Sequence, residues 1–153
     1  MNILFICTGN ICRSPMAEVI LANLVEQDPA LRDRIRVGSA GIMAMDGADM
    51  SKNSQLALEE LGYPFSPHIA RTLTPELLGQ ADLVLGMQPQ HVNAILLRYP
   101  QGTKTPTILT LAEWAAESRH IDDPYGQNAQ VYLACAQQIE EYIKKGLHNL
   151  QEQ

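Results

Sequence analysis

From Ile3 to Ile6 the chain is apolar without interruption, and Asn2-Ile3-Leu4-Phe5-Ile6 together have the length of one strand. A strand without polar alternation is one covered on both faces, as in parallel sheets. Ala17, Ile20, Leu21 and Leu24 then recur at helical spacing, with Ser14 placed to cap that helix and Pro15 suited to its first position. The alternation continues with a short strand at Ile35-Arg36-Val37 and a helix through Ala57, Leu58 and Leu61 that Gly62 stops. A third strand covers Asp82-Leu83-Val84-Leu85-Gly86-Met87, and Val92, Ile95, Leu96 and Tyr99 mark another helix. Pro106-Thr107-Ile108-Leu109 is the fourth strand, and Tyr132, Cys135, Ile139, Tyr142 and Ile143 form the apolar stripe of a closing helix. Strands and helices in turn predict an α/β fold, a four-stranded parallel sheet with helices on both faces. No linker, repeat or low-complexity stretch divides the chain, so residues 1–153 are expected to form a single domain, doubly wound and flavodoxin-like.

Composition narrows the class. A chain of 153 residues buries about two thirds of its unfolded surface and needs no staples. Three cysteines are an odd and sparse set, unlike a secreted disulfide framework, and a reducing cytoplasm is the expected location. No run approaches the ~20 apolar residues that span a bilayer, and the apolar start lacks a basic leader and a cleavage site. A membrane partner is therefore not expected. A net charge of -6 argues against neutralising nucleic-acid phosphates, so any phosphate must be met locally. The four histidines, His68, His91, His120 and His148, lack metal-ligand spacing, and neither metal nor cofactor is expected.

In doubly wound sheets function sits beyond the carboxyl ends of the strands. Cys7 stands at such an end and opens Cys7-Thr8-Gly9-Asn10-Ile11-Cys12-Arg13-Ser14. A loop from strand to helix turns backbone N–H groups round a concavity, and the helix adds its positive end: an anion cradle. Gly9 and Asn10 are the residue types that best accept left-handed backbone angles in a tight loop. Arg13, six residues after Cys7, brings a planar fork suited to two oxygens of an oxyanion. Positive charge and a helix N-terminus favour a thiolate, which makes Cys7 the expected nucleophile.

The run CTGNICRS followed by PMAE resembles the signature of the low-molecular-weight protein tyrosine phosphatase family. Ser39-Ala40-Gly41, His68 with Arg71, Ala81-Asp82 to Met87, and Asp123-Pro124-Tyr125 resemble further landmarks of that family in order, and Thr8 with Ala81-Asp82 to Met87 and His91 resembles its bacterial members. The resemblance implies that Cys7 is the nucleophile, Arg13 the phosphate clamp, Ser14 a hydroxyl donor to the thiolate and Asp123 the general acid. It implies a phosphate site built by Thr8, Gly9, Asn10, Ile11, Cys12, Arg13 and Ser14, with Asn10, Ser39 and His68 bracing the loop. Ile11, Met45 and Tyr125 would line the substrate, a phosphotyrosine in a protein. Chemistry agrees: expelling a phenoxide is eased by a carboxylic acid that protonates it, and the same group, then ionised, activates the water that hydrolyses the phosphocysteine. Asp122 competes with Asp123 for that role.

Other residues admit two readings. Cys12, in the same loop, either shields the nucleophile through a reversible disulfide or shapes the loop as a small buried residue. Cys135 is read as core, and Glu140-Glu141 with Lys144-Lys145 as a solvated face. Trp114, Met43, Met45 and Met50 either line a mouth or pack, the methionines belonging to a loop near the site. Ile42-Met43-Ala44-Met45-Asp46 stands where many eukaryotic members have a tryptophan, and Gly126 follows Tyr125 where they have a second tyrosine, so the aromatic walls are thinner. Ile69 replaces a common basic residue. Related protein arginine phosphatases have threonine at the position of Ile11, whose apolar side chain better suits an aryl ring. Arsenate reduction needs a cysteine relay that this chain lacks, and a silent phosphate-binding module would not need Cys7, Arg13 and Asp123 together.

Overall fold

The structure, a computed structural model, describes residues 1–99 and 106–152. In chain order the elements are β1 (Asn2–Cys7), α1 (Arg13–Glu26), α2 (Pro29–Arg32), β2 (Arg36–Gly41), α3 (Lys52–Glu60), α4 (Pro75–Gln80), β3 (Leu83–Gly86), α5 (Pro89–Arg98), β4 (Thr107–Thr110), α6 (Leu111–Trp114) and α7 (Ala129–Gln151). The four strands lie in the order β2-β1-β3-β4, and every pairing is parallel. Alternate side chains of β1 divide between two cores, as the period of a strand requires. Ile3, Phe5 and Cys7 pack with Met16, Ile20 and Leu21 of α1 and with Ile139 and Ile143 of α7. Leu4 and Ile6 pack with Leu78 of α4, Val84 of β3 and Ile95 of α5. The sheet is thus covered on both faces, which explains the uninterrupted apolar run of β1.

The chain leaves β1 for β2 on one side and later crosses back to place β3 on the other. The carboxyl ends of β1 and β3 therefore flank the point where the winding reverses, which is where such sheets bind ligands. Cys7 ends β1, opposite Gly41 of β2, while Ile6 lies opposite Gly86 of β3.

Several expected details are corrected. Ser14 does not cap α1: the capping position is Cys12, Ser14 is the second helical residue and Pro15 the third. The expected strand at Ile35-Arg36-Val37 starts one residue later and runs on to Gly41, because Gly38-Ser39-Ala40-Gly41 pairs through its backbone without an apolar pattern to announce it. Asp82, Met87 and Pro106 lie just outside their strands. Helices α2, α4 and α6 were not expected, being too short for a hydrophobic period to show. Their caps were nevertheless in the sequence: Asp28, Thr74 and Thr110 each accept a backbone N–H from the first turn, and α2 and α4 carry proline there. Gly62, with φ of 81°, does stop α3. Trp114 packs against α7, where a Cβ on Gly146 would come within 2.1 Å of its ring. Cys135 is core, and burial pushes its thiol up to about 12. Met50 is buried, while Met43 and Met45 are exposed. Among the described residues no helix is long and apolar enough to cross a membrane.

Candidate active site

The loop after β1 is held open by its carbonyls. Cys7 O accepts from Ile42 N–H at 3.0 Å, Thr8 O from Met43 N–H at 2.9 Å and Ile11 O from Ser51 N–H at 2.8 Å. Asn10 O accepts from His68 Nε2–H at 2.7 Å, and Cys12 O from the Ser54 hydroxyl at 3.3 Å. In a peptide unit the carbonyl and the next N–H point opposite ways. With these carbonyls tied to neighbouring elements, the N–H groups of Thr8, Gly9, Ile11, Cys12 and Arg13 are left to the opposite side, beside the N-terminus of α1, an arrangement suited to an anion.

Asn10 organises the turn. It takes the left-handed conformation, φ 56°, whereas Gly9 does not, so of the two expected residues only Asn10 meets that demand. Fully buried, it donates from Nδ2 to Ser14 Oγ and to Ser39 Oγ, each at 2.9 Å, and accepts Arg71 N–H at 3.0 Å through Oδ1. Ser39 passes its own hydrogen to Glu18 Oε1, and Arg71 Nε donates to Ser39 O at 2.9 Å. Ser14 Oγ, having accepted from Asn10, lies 2.9 Å from Cys7 Sγ, so that with the sulfur ionised its hydroxyl donates to the thiolate. The apparent cap is thus spent on Cys7.

Gly41 closes against this loop. A Cβ there would lie 2.6 Å from Thr8 O and 3.0 Å from Asn10 N, both backbone atoms of the cradle. Gly41→Ala is expected to destabilise the protein by about 2 kcal/mol or more and to cost at least about tenfold in activity. Chemical denaturation together with turnover of an aryl phosphate measures both; a variant matching wild type would show that the loop yields freely.

Arg13 is 2 % exposed. Its Nη1 donates to Ile121 O at 2.8 Å and to Gln88 Oε1, so the guanidinium is fixed from behind by two chain segments. Asp123 Oδ2 stands 3.9 Å from Nη2, and Asp123 Oδ1 accepts Tyr125 N–H at 3.1 Å across Pro124. Asp122 instead turns outwards to Arg119, 3.8 Å away. Arg13, on the loop that Cys7 opens, thus meets Asp123, whereas Asp122 turns away. Tyr125, 71 % exposed, stands on the Asp123 loop, and Met45, 79 % exposed, lies on the segment that begins at Cys7 O and Thr8 O. Ile11 is partly buried against the core. Cys12 Sγ lies 3.4 Å from Tyr132 Oη and 3.6 Å from Ser51 Oγ, and all three cysteines are free.

Two roles escaped the sequence reading, in which Gln88 is not singled out and His91 is only part of the bacterial-type pattern. Gln88 holds Arg13, and His91 contacts Thr8 Oγ1 at 3.0 Å through Nε2. Burial, then the charge of Arg13, pushes the His91 pKa down to about 4, leaving the ring neutral at pH 7. Their position after β3, at the carboxyl edge of the sheet, was the available signal.

The model of the family described as low molecular weight phosphotyrosine protein phosphatase matches residues 2–153. The low molecular weight protein-tyrosine-phosphatase Ptp of Acinetobacter johnsonii is 41% identical over 132 residues, 86% of this chain and 84% of that protein. A protein-arginine-phosphatase of Bacillus subtilis is 33% identical, over 95% of this chain and 93% of its own. Among solved structures, a low molecular weight protein tyrosine phosphatase from T. tengcongensis superposes with a TM-score of 0.87 at 35% identity, covering 97% of this chain and 99% of that one. The YwlE arginine phosphatase of Geobacillus stearothermophilus does so with a TM-score of 0.86 at 34% identity, covering 99% and 93%.

Proposed function

This chain belongs to the low molecular weight phosphotyrosine protein phosphatase family, and on that premise we propose that it hydrolyses phosphotyrosine in cytoplasmic proteins through a phosphocysteine at Cys7. The observation that carries the reading is the meeting of two stretches of chain: the loop that holds Cys7 against Ser14 also carries Arg13, and Asp123 Oδ2 stands 3.9 Å from the Arg13 guanidinium.

The Cys7 thiolate attacks phosphorus while Asp123 gives its proton to the departing phenolic oxygen. Arg13 and the loop amides hold the equatorial oxygens, whose charge is redistributed in the transition state. Ser14 stabilises the sulfur before attack and again as it leaves. Asp123, now ionised, takes a proton from the water that attacks the phosphocysteine, and inorganic phosphate and the starting thiolate result. Glu18, Ser39, Asn10, Arg71 and His68 act at a distance by fixing the loop. Tyr125 and Ile11 give the aryl ring apolar surface, with Met45 at the rim. We assign Cys12 a protective role: a peroxide oxidises Cys7 to the sulfenic acid, and Cys12 displaces water from it to form a disulfide, both thiols first leaving Ser14 and Tyr132.

Steady-state comparison of phosphotyrosine, phosphoserine and phosphoarginine peptides tests the substrate. Wild type is expected to favour phosphotyrosine, and Ile11→Thr to move the ratio of specificity constants towards phosphoarginine by roughly ten- to a hundredfold, from one lost apolar contact and one gained hydrogen bond. A wild-type preference for phosphoarginine would transfer the assignment to the arginine phosphatases, two of which are among the relatives above.

A further inference from the structure

The turn from β3 into α5, Gln88-Pro89-Gln90-His91, grips both ends of the phosphate loop. Gln88 Oε1 accepts from Arg13 Nη1 and, at 3.2 Å, from Gln90 Nε2. His91, only 2 % exposed, faces Thr8, the residue that follows the nucleophile. Gly86 makes room for it, since a Cβ there would lie 3.1 Å from His91 Cβ, and the ring is held at both nitrogens, by Gln88 N and Thr8 Oγ1.

Counting hydrogens fixes the direction of this contact. Gln88 N–H donates to His91 Nδ1 at 3.1 Å, so Nδ1 carries no proton. The neutral ring then has its single hydrogen on Nε2, which lies 3.0 Å from Thr8 Oγ1 and donates to it. With one lone pair of Thr8 Oγ1 engaged from outside the loop, the hydroxyl rotor is restricted and its own hydrogen is turned away from His91. Thr8 is exposed at the mouth of the cradle, one residue from Cys7.

Resting on the phosphatase reading above, we propose that His91 is a positioning residue for phosphoryl transfer: as the Nε2–H tautomer it orients the Thr8 hydroxyl so that the hydroxyl hydrogen is donated to the bound phosphoryl group. Low basicity keeps the ring neutral at pH 7, and the Gln88 N–H on Nδ1 keeps the proton on Nε2. The turn after β3 therefore sets a hydroxyl donor at one end of the loop and the guanidinium at the other.

The test compares wild type, Thr8→Val, His91→Phe, His91→Gln and the Thr8→Val/His91→Phe double variant, reading kcat/KM with an aryl phosphate, inhibition by inorganic phosphate, and thermal stability. Thr8→Val and His91→Phe are each expected to lose about five- to tenfold in kcat/KM and to weaken phosphate inhibition in parallel. The double variant is expected to lose no more than the worse single one. His91→Gln, whose amide N–H reaches the same Thr8 oxygen, is expected to recover to within about twofold of wild type. Nitrogen NMR of the wild-type ring is expected to show Nε2 protonated and Nδ1 bare at pH 7. Additive losses, full activity in Thr8→Val, failure of His91→Gln to rescue, or an Nδ1–H ring would each overturn the proposal. If His91→Phe does not fold, Thr8→Val and the NMR of wild type still decide. A wild type with no phosphatase activity would instead refute the reading beneath it.

Discussion

Cys7→Ser is expected to leave a folded protein that binds inorganic phosphate and turns over an aryl phosphate at least about 10³-fold more slowly than wild type. The replacement is smaller by little and keeps a hydrogen bond to Ser14, so the cradle persists. What disappears is the thiolate, and Asp123, which must be protonated to serve the leaving group, cannot also act as base for a hydroxyl in that step. A serine nucleophile needs a general base, and neither adjacent histidine is placed to serve. His68 spends Nε2–H on Asn10 O, and His91 spends Nδ1 on Gln88 N–H and Nε2 on Thr8. Turnover within a few-fold of wild type would mean that the nucleophile is not Cys7.

Asp123→Asn is expected to cost on the order of 10²–10⁴-fold with a phenyl phosphate whose leaving group is poor, and far less with an activated one, since good leaving groups need little protonation. The substitution separates chemistry from structure. Asparagine retains an oxygen to accept Tyr125 N–H, so the turn through Pro124 survives. Asp122→Asn should change turnover little, because that carboxylate faces Arg119 at the surface, 80 % exposed. A reversed outcome would show that the acid is the other carboxylate; equal losses with good and poor leaving groups would show that Asp123 acts on loop geometry rather than on the proton.

The sequence made the site more legible than the loops that hold it. Cys7, Arg13 and Asp123 belong to contiguous motifs whose residue types state their chemistry, and the apolar run of β1 fixes where the first motif begins. Period reading also finds β3, α5 and α7, since each buries a stripe. It fails at β2 beyond Val37, where glycine and serine pair through backbone alone, and at α2, α4 and α6, which are shorter than two helical periods. It misreads Ser14, because a serine before proline at a helix start carries the same local signal whether its hydroxyl caps a backbone N–H or reaches the sulfur of Cys7. The partners of Arg13 and Thr8 lie 75 and 83 residues away, at Gln88 and His91. Only the parallel register of β1 with β3 brings them together, and no local pattern encodes that meeting.

The most direct measurement is acid quenching of wild-type protein and of Asp123→Asn during turnover of an aryl phosphate, followed by peptide mass analysis. One phosphoryl group on the sulfur of Cys7 is the expected result, formed and consumed within a turnover and longer-lived in Asp123→Asn, where the water lacks its base. A phosphoryl group on any other residue, or steady turnover with Cys7 never phosphorylated, would contradict the account.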